Sequence, residues 1–278
     1  MKDLTFLLPC RIETEDRLRN VITSTSYLLK NFPESKVILK EVDAKSVFEE
    51  YALPQVKKYV GDVSQLTHIF EQNDDQFFHK TRILNDLLVA SETNIVYNHD
   101  VDVVLPLNSY KMAYHAITRE GSDAIYPFGC GIYQWAVTYS DDLMDKFLSS
   151  HDGTNFDFDT IQSSCVRIPS SIGWGQMITK AAEISCGMWN EEFISWGAED
   201  CEFYYRLNLF GFKVGRVIDD IYHFEHGRTF NSHYHNPKFR DNDALWNWIR
   251  KQDMDTLAAY YSKLDYLKKR GEQLNASL

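Results

Sequence analysis

Residues 97–104 read Tyr-Asn-His-Asp-Val-Asp-Val-Val and complete an apolar run over residues 94–97 that is typical of a buried strand. Asp100 and Asp102 stand two positions apart, so on an extended chain both carboxylates point to the same side. Adjacent like charges repel each other, and this pair therefore needs a cation nearby. Oxygen ligands at the open end of a strand suit Mg²⁺ or Mn²⁺ shared with substrate phosphates. A solvated turn is the alternative interpretation.

Strand and helix patterns alternate over the first 105 residues. Apolar runs predict strands at residues 4–8, 36–42, 67–70 and 94–97, and helical periodicity predicts helices at residues 15–31, 45–51 and 77–91. This order predicts βαβ units, and hence an α/β protein with a mostly parallel sheet. Ligands of such sheets bind beyond the carboxyl ends of the strands, where five predicted site residues would meet: Pro9, Arg11, Asp43, Asp100 and Asp102.

The pattern becomes mixed after Pro106. Helices are predicted at residues 109–119, 141–149 and 199–210, and strands at residues 123–127 and 213–224. The stretch 163–175 is rich in Gly and Ser and is predicted to be mostly loop. Charged and aromatic residues recur with helical spacing from residue 241 onward. We therefore divide the chain into residues 1–105, residues 106–240 and a C-terminal helical extension, residues 241–278.

The composition is that of an ordinary globular protein, with 44% hydrophobic and 25% charged residues among 278. A formal net charge of −11 argues against binding to nucleic acids and against docking on anionic membranes. Five scattered cysteines without a C-x-x-C pair indicate a reducing compartment. The short apolar run near the N-terminus is not a signal peptide, and no run of about 18 apolar residues could span a bilayer. We therefore expect a cytoplasmic protein.

Two further clusters of chemically active residues lie in the second half of the chain. Residues 196–200 read Trp-Gly-Ala-Glu-Asp and lead into a predicted helix, whose N-terminus stabilises carboxylates. A helix cap over a packed tryptophan is the alternative interpretation. Residues 223–228 read His-Phe-Glu-His-Gly-Arg. On a strand His223 and Glu225 would share one side, whereas on a helical turn His223 and His226 would.

Together these motifs resemble the inverting GT-A glycosyltransferases, above all the β-1,4-galactosyltransferases and the bacterial chondroitin-polymerase type. Residues 8–11 (Leu-Pro-Cys-Arg) resemble the Pro-x-Arg segment that cradles uridine in those enzymes. Residues 78–85 are similar to their Phe-x-Arg-x-x-x-Leu-Asn helix, and residues 100–102 to their metal-binding Asp-Val-Asp. Residues 196–200 resemble their acceptor loop, Trp-Gly-Gly-Glu-Asp. The motifs follow the same order over residues 4–240.

The resemblance implies a GT-A fold, in which a Rossmann-like, mostly parallel sheet is flanked by helices. It makes residues 1–105 the nucleotide-sugar-binding half and residues 106–240 the mixed, acceptor-binding and catalytic half, with a C-terminal helical tail. It assigns Asp102 as the main protein ligand of Mn²⁺, with Mg²⁺ as an alternative, and Asp100 as its support near the ribose or the metal. His223 and His226 match the spacing of the Met and His ligands of the galactosyltransferases. Residues 222–225 match instead the Tyr-His-x-Glu of the chondroitin type, so both histidines stay candidates and His226 is slightly favoured.

The resemblance also assigns the chemistry. Asp200 becomes the base that deprotonates the acceptor hydroxyl, although a helix N-terminus should lower its pKa and weaken it as a base. Glu199 orients the acceptor. The metal and one or more of Arg11, Lys80 and Arg82 neutralise the diphosphate leaving group.

Two tryptophans are candidates for a lid or platform that keeps water from the donor, with core packing as the alternative. They are Trp196 and Trp174, the second of which follows Gly173. The residues assigned to contact the donor are Pro9, Arg11, Asp43, Arg82, Asp100, Gly173 and Trp196.

The implied function is metal-dependent, inverting transfer of a hexose or N-acetylhexosamine, with galactose favoured, from a UDP-sugar to a saccharide hydroxyl. A saccharide or glycolipid precursor of bacterial polysaccharide biosynthesis is the expected acceptor. Ala198 and Cys201 depart from the family's loop and leave the donor sugar open. A metal-dependent phosphoesterase and an inactive sugar- or nucleotide-binding module are the rival hypotheses. Residues 241–278 could pack on their own domain, pair with a second chain or touch a lipid surface.

Overall fold

Helices and strands alternate over residues 4–99, as the sequence pattern predicts for the first part of the chain. The computed structural model describes residues 1–170 and 172–276. Within them the strands are β1 (Leu4–Cys10), β2 (Lys36–Asp43), β3 (Leu66–Gln72), β4 (Ile95–His99), β5 (Val103–Val104), β6 (Ala124–Tyr126), β7 (Gly131–Val137), β8 (Cys165–Ser170), β9 (Gly175–Thr179), β10 (Val214–Arg216) and β11 (Ile221–Phe224). The helices are α1 (Glu15–Asn31), α2 (Leu53–Val60), α3 (Lys80–Ala90), α4 (Leu107–Glu120), α5 (Asp141–Ser149), α6 (Asp159–Gln162), α7 (Lys180–Ser185), α8 (Glu199–Leu209), α9 (Phe239–Ile249), α10 (Met254–Tyr261) and α11 (Asp265–Ala276).

The larger sheet has the strand order β10-β6-β9-β4-β1-β2-β3. Its neighbouring strands are parallel except where β9 lies antiparallel between β4 and β6. Every residue of β1 is buried, because helices cover both faces of a parallel sheet. The predicted α/β class, with a mostly parallel sheet flanked by helices, is confirmed.

The smaller sheet, in the order β5-β11-β7-β8, brings the acidic turn beside the predicted histidines. β5 directly follows the turn that carries Asp102, and β11 carries His223. The two strands pair antiparallel, with His223 opposite Val103. The Phe224 amide donates to the Asp102 carbonyl at 2.8 Å. Residues far apart in the chain are therefore neighbours at this edge.

Two predictions for the second half are wrong. Residues 163–175, predicted to be mostly loop, contain β8 and the first residue of β9. Residues 213–224, predicted as one strand, form β10 and β11 in different sheets. In the turn between them Asp219 accepts a hydrogen bond from the Ser109 hydroxyl at 2.5 Å, and Asp220 accepts the indole N–H of a tryptophan on β7 at 2.9 Å. These two hydrogen bonds hold the turn at which β10 ends and the chain passes to β11 in the other sheet.

Helix α3 begins at Lys80, later than predicted, because the residue before it, His79, has a non-helical backbone (φ −82°, ψ 66°). The amides of the two preceding residues have partners outside the helix. Asp75 accepts the Phe77 N–H at 3.0 Å, and Asn231 accepts the Phe78 N–H at 2.8 Å. The preceding predicted helix is displaced as well. A π-helical turn at Phe48–Ala52 leads directly into α2.

The C-terminal helices pack against the rest of the same chain. An apolar cluster joins α9 and α10 to the body of the protein through Phe193, Ile249, Leu257 and Tyr261. Arg270, on α11, lies 2.9 Å from a Glu191 carboxylate oxygen and also pairs with Asp86. Of the three alternatives given for residues 241–278, the structure shows packing on their own domain. Among the described helices, none has the length and apolar character that crossing a membrane requires.

Candidate functional site

A cavity of about 300 Å³ opens beyond the carboxyl ends of β1 and β4. Lys80 and Trp174 line it. It lies where the strand ends of a parallel sheet leave room for a ligand. The residues predicted for the site that also line it are Pro9, Arg11, Asp100, Asp102, Gly173, Trp196, Glu199, Asp200, His223 and His226.

Two residues predicted to contact the donor do not line this cavity. Asp43 ends β2, and its carboxylate accepts the amide N–H of Ala44 at 2.8 Å. Arg82 lies two positions after Lys80 on α3, and residues two apart do not share a helix face. Its guanidinium instead pairs with Glu71 at 2.7 Å. Of the two cations on this helix, the structure brings Lys80 to the cavity and not Arg82.

Arg11 lines the cavity, but three backbone carbonyls engage its guanidinium. Its Nε donates to Val42 at 3.0 Å, and its terminal nitrogens donate to Gln76 at 3.0 Å and Asp75 at 2.8 Å. The residue is only 8% exposed. Arg11 therefore secures the loop before α3 and is poorly placed for the predicted neutralisation of a diphosphate.

One carboxylate and two imidazoles converge at the cavity. The Oδ2 atom of Asp102 lies 3.1 Å from His226 Nε2 and 3.6 Å from His223 Nε2. One ligand atom from each of the three residues lies within 4.8 Å of the others. Because the chain turns after β11, both candidate histidines face the same carboxylate.

Each imidazole is also held through its second nitrogen. His223 Nδ1 contacts Glu225 Oε1 at 2.7 Å, and His226 Nδ1 contacts the Gly227 carbonyl at 3.0 Å. A proton on Nδ1 leaves the Nε2 lone pair for a cation, which is the usual arrangement of metal-binding histidines. His223 Nε2 and Asp102 Oδ1 are buried and have no hydrogen-bond partner among the described residues. This mixed oxygen and nitrogen donor set fits a divalent ion such as Mn²⁺.

The electrostatics of this group favour positive charge. Burial opposes the charged form of His223, but the carboxylates of Asp102 and Glu225 outweigh it and raise the pKa of His223 to about 9. Burial likewise opposes ionisation of Asp102, yet the attraction of the neighbouring His223 and His226 imidazoles holds the pKa of that carboxyl well below its usual range. An environment that stabilises protons on imidazole in this way is suited to a cation.

Asp100 pairs with Lys80 rather than with the histidines. The Lys80 ammonium lies 3.1 Å from Asp100 Oδ1, 3.6 Å from Asp200 Oδ1 and 3.7 Å from Glu199 Oε1. Three carboxylates therefore share this ammonium. The two acids of the 100–102 turn have separate partners, and Asp100 is not among the three groups that converge on a common point.

Asp200 has the pKa of a usable base. Loss of hydration raises the pKa of its carboxyl to about 7; Lys80 opposes this rise, whereas Glu199 and Asp100 add to it. The low pKa expected at a helix N-terminus is therefore not found, since desolvation outweighs the attraction of Lys80. The Asp200 side chain is 24% exposed, so a ligand in the cavity can reach it.

The loop before α8 holds a strained backbone at the cavity rim. Ser195, Gly197 and Ala198 have φ angles of 62°, 136° and 65°. Left-handed conformations cost energy in residues other than glycine and cluster at functional sites. Trp196 lies among them, 39% exposed, with its ring stacked 5.7 Å from that of Phe239. An exposed aromatic face at the rim is suited to packing against the C–H face of a sugar.

Glu199 closes this loop. Its Oε2 accepts the Gly197 N–H at 2.9 Å, and the residue is only 4% exposed. The helix-cap interpretation of residues 196–200 is not supported, because Ala198 stands at the N-cap of α8 without a side-chain cap hydrogen bond. Asp200 remains accessible from the cavity.

The cavity residues that sequence reasoning missed include Arg17, Arg228 and Asn231. Arg17 is in the first turn of α1, and the βαβ pattern could have indicated it because that turn follows the end of β1. Arg228 belongs to the cluster of residues 223–228, in which only His223, Glu225 and His226 were considered as functional residues from the sequence. Nothing in a single sequence marks Asn231, whose amide group joins four segments through hydrogen bonds with Glu13, Gln76, Phe78 and Ser195.

The segment that carries much of this site matches a known domain family. A family model described as the N-terminal domain of galactosyltransferase matches residues 169–227, which include Trp174, the loop before α8 and both histidines. The predicted resemblance to galactosyltransferases is confirmed over this segment. No match was found among curated proteins.

Solved glycosyltransferases share the fold at low sequence identity. The mannosyltransferase PcManGT from Pyrobaculum calidifontis, in complex with GDP-Man and Mn²⁺, is 12% identical with a TM-score of 0.56, over 99% of this chain and 72% of that one. S. aureus TarS is 17% identical with a TM-score of 0.52, over 81% of this chain and 60% of that one. A Drosophila β1,4-galactosyltransferase 7 mutant, in complex with manganese, UDP-Gal and xylobiose, is 15% identical with a TM-score of 0.50, over 91% and 82%.

The fold is therefore that of the GT-A glycosyltransferases, as the resemblance implies. Manganese, the metal predicted from the sequence, is bound in two of these three structures, PcManGT and the Drosophila galactosyltransferase mutant.

Proposed function

We propose that the protein is a metal-dependent, inverting glycosyltransferase. It transfers a hexose or N-acetylhexosamine, with galactose favoured, from a UDP-sugar to a saccharide hydroxyl. The observation that carries the proposal is the convergence of Asp102, His223 and His226 at the cavity that also exposes Asp200. A cation site beside a proton acceptor meets the two needs of transfer from a nucleoside diphosphate.

The diphosphate needs compensating positive charge. A bound Mn²⁺, with Mg²⁺ as an alternative, neutralises charge on the leaving diphosphate, and Asp102, His223 and His226 would hold that ion. Arg228 is exposed at the cavity and can offer two parallel N–H groups to phosphate oxygens. Arg17, 3.5 Å from the Glu13 carboxylate, adds a second guanidinium. These arginines take the role that the sequence assigned to Arg11 and Arg82.

Asp200 is the proposed proton acceptor. The acceptor oxygen attacks the anomeric carbon from the face opposite the diphosphate. As the new C–O bond forms, the bond from the anomeric carbon to the diphosphate oxygen breaks and the hydroxyl proton passes to the Asp200 carboxylate. Attack from the opposite face inverts the anomeric configuration. Lys80 holds the cluster of Asp100, Glu199 and Asp200 together, and Glu199 fixes the loop that presents Trp196 to the acceptor.

The similar solved structures support this choice of substrates. One contains GDP-Man with Mn²⁺ and another contains UDP-Gal, manganese and xylobiose. We favour a UDP-sugar because the galactosyltransferase family model matches residues 169–227. Residues 1–105 would bind the nucleotide-sugar and residues 106–240 the acceptor.

We further propose a cytoplasmic enzyme of bacterial polysaccharide biosynthesis that acts on a saccharide or glycolipid precursor. All five cysteines are free thiols, which is typical of a reducing compartment. The bacterial setting rests on the resemblance to the chondroitin-polymerase type.

The rival functions have less support. Metal-dependent phosphoesterases commonly use two metal ions, whereas the described part of the chain offers one group of three ligands. An inactive binding module would not need an accessible carboxylate such as Asp200 beside a cation site.

The test is release of UDP by the purified protein with Mn²⁺, across a panel of UDP-sugars, with and without saccharide acceptors. Acceptor-dependent UDP release supports the transferase. Release of inorganic phosphate supports the phosphoesterase, and nucleotide binding without turnover supports the inactive module.

Three variants sharpen this test. Asp200→Asn should abolish transfer while sparing UDP binding, and Asp102→Ala should lose Mn²⁺-dependent UDP binding. Asp43→Asn is the matched control, because this acid also ends a strand of the sheet but lies outside the cavity; it should transfer at the wild-type rate. A wild-type rate in Asp200→Asn would show that the base is misassigned.

A further inference from the structure

Trp174 has a backbone conformation that tryptophan rarely adopts. Its φ angle of 79° lies in the left-handed region, where a Cβ atom is crowded by its own backbone. The next residue, Gly175, has to be glycine, since a Cβ there would lie 2.2 Å from the Asn98 carbonyl oxygen. Glycine at position 174 would relieve the strain. Because tryptophan stands here instead of glycine, we expect its side chain to make a contact that offsets the cost of this backbone conformation.

That contact is with a proposed metal ligand. The Trp174 ring lies 4.4 Å from the His223 ring, centroid to centroid, with the planes inclined by 39°. The Trp174 carbonyl accepts the Asp100 N–H at 3.3 Å and so holds the turn that carries Asp102. One residue thus contacts both of the segments that supply ligands.

His223 needs this second restraint. Its Nδ1 atom is held by Glu225 at 2.7 Å, but the Glu225 side chain is 41% exposed, so water competes for that hydrogen bond. The face contact from Trp174 restrains the plane of the imidazole independently of Glu225. It also covers one side of a ring that is itself 2% exposed.

We propose that Trp174 is a positioning residue for the metal centre. Its ring fixes the orientation of the His223 imidazole and its carbonyl fixes the turn of Asp102, so that both ligands are in place before an ion binds. The inference rests on the proposed metal-dependent function. The indole itself is not a ligand.

The test measures binding of Mn²⁺ alone to the purified protein, from the electron paramagnetic resonance signal of free Mn²⁺ during a titration. Trp174→Ala and Trp174→Gly should weaken Mn²⁺ binding by about 10- to 100-fold, the usual loss when a partner of a metal ligand is removed. Trp174→Phe keeps a ring face and should bind with near wild-type affinity. Trp174→Gly relieves the left-handed strain, so it is the variant expected to fold even if Trp174→Ala does not; circular dichroism checks both.

Two controls separate this inference from the metal site itself. Trp248→Ala removes a tryptophan that is 42% exposed on α9, outside the cavity, and should leave Mn²⁺ affinity unchanged. Asp102→Ala should lose Mn²⁺ binding; if it binds like the wild type, the metal centre is misassigned. If Asp102→Ala loses Mn²⁺ while Trp174→Gly binds it like the wild type, the role of Trp174 alone is overturned. A Trp174→Phe variant as weak as Trp174→Gly would overturn it too.

Discussion

Replacing Lys80 with methionine should move the acid limb of the pH–rate profile to higher pH. The Lys80 ammonium lies among the carboxylates of Asp100, Glu199 and Asp200, and methionine keeps the side-chain length while removing the charge. Desolvation raises the pKa of Asp200 to about 7, and Lys80 opposes a further rise. Without the ammonium this pKa rises. Because the base must be deprotonated to accept a proton, the rate at neutral pH should fall and recover only at higher pH.

The distance sets the size of the effect. Lys80 Nζ and Asp200 Oδ1 are 3.6 Å apart, and opposite charges at that distance attract by about 4 to 5 kcal/mol at an effective dielectric constant near 20. Water reaches the Asp200 side chain, which is 24% exposed, and screens the interaction, so only part of this attraction is lost. A third of it, about 1.4 kcal/mol, corresponds to about one pH unit. The acid limb should therefore move from about pH 7 to about pH 8.

The assay is kcat for UDP release from about pH 5 to about pH 9, at Mn²⁺ concentrations that saturate at every pH. Saturation keeps protonation of the metal-binding histidines out of the profile. Lys80→Arg is the matched control, since it keeps the positive charge and should keep the wild-type acid limb. An unchanged acid limb in an active Lys80→Met variant would refute the assignment of that limb to Asp200.

Three further changes test the rest of the site. Arg228→Ala should raise the donor KM by roughly 10- to 150-fold, because a hydrogen bond to a charged group contributes about 1.5 to 3 kcal/mol. UDP-release kinetics measure this, and the exposed Arg240→Ala, outside the cavity, should not differ from wild type. Asn231→Ala should lower the free energy of unfolding by about 2 kcal/mol, since it removes several hydrogen bonds of about 0.5 to 1.5 kcal/mol each; an unchanged urea midpoint would contradict its role in joining four segments. Chelation of Mn²⁺ with EDTA should lower the unfolding temperature, because an ion at about 100 times its Kd stabilises the folded state by about 2.7 kcal/mol; Asp102→Ala should show no such response.

Strands β1 to β4 of the larger sheet could be predicted from the sequence, whereas β9 of the same sheet and β5, β7 and β8 of the smaller sheet could not. β1, β2 and β4 are buried nearly throughout, and each contains a run of at least three consecutive apolar residues, which the sequence shows. β8 is an edge strand whose residues are exposed or half-buried, so it lacks such a run. The break between β10 and β11 depends on the partners of Asp219 and Asp220, which only the folded chain brings together.

The candidate site divides in the same way. Asp102 and both histidines stand in short motifs at strand ends, and topology alone brings strand ends to one edge. The roles of the cations depend on longer-range structure. The guanidinium of Arg11 donates to backbone carbonyls of the loop before α3. Arg82 lies on a face of α3 that points away from the cavity, where it pairs with Glu71. The raised pKa of Asp200 could not be foreseen either, because it arises from burial among carboxylates contributed by separate segments.

The central claim is that Asp102, His223 and His226 hold one divalent ion. Electron spin-echo envelope modulation of bound Mn²⁺ tests it most directly, because the method detects ¹⁴N nuclei of directly coordinated imidazoles. The wild-type protein should show this nitrogen modulation, each of His223→Ala and His226→Ala should reduce it, and the double variant should lack it. Bound Mn²⁺ without nitrogen modulation in the wild type, or with the same modulation in the double variant, would contradict the account.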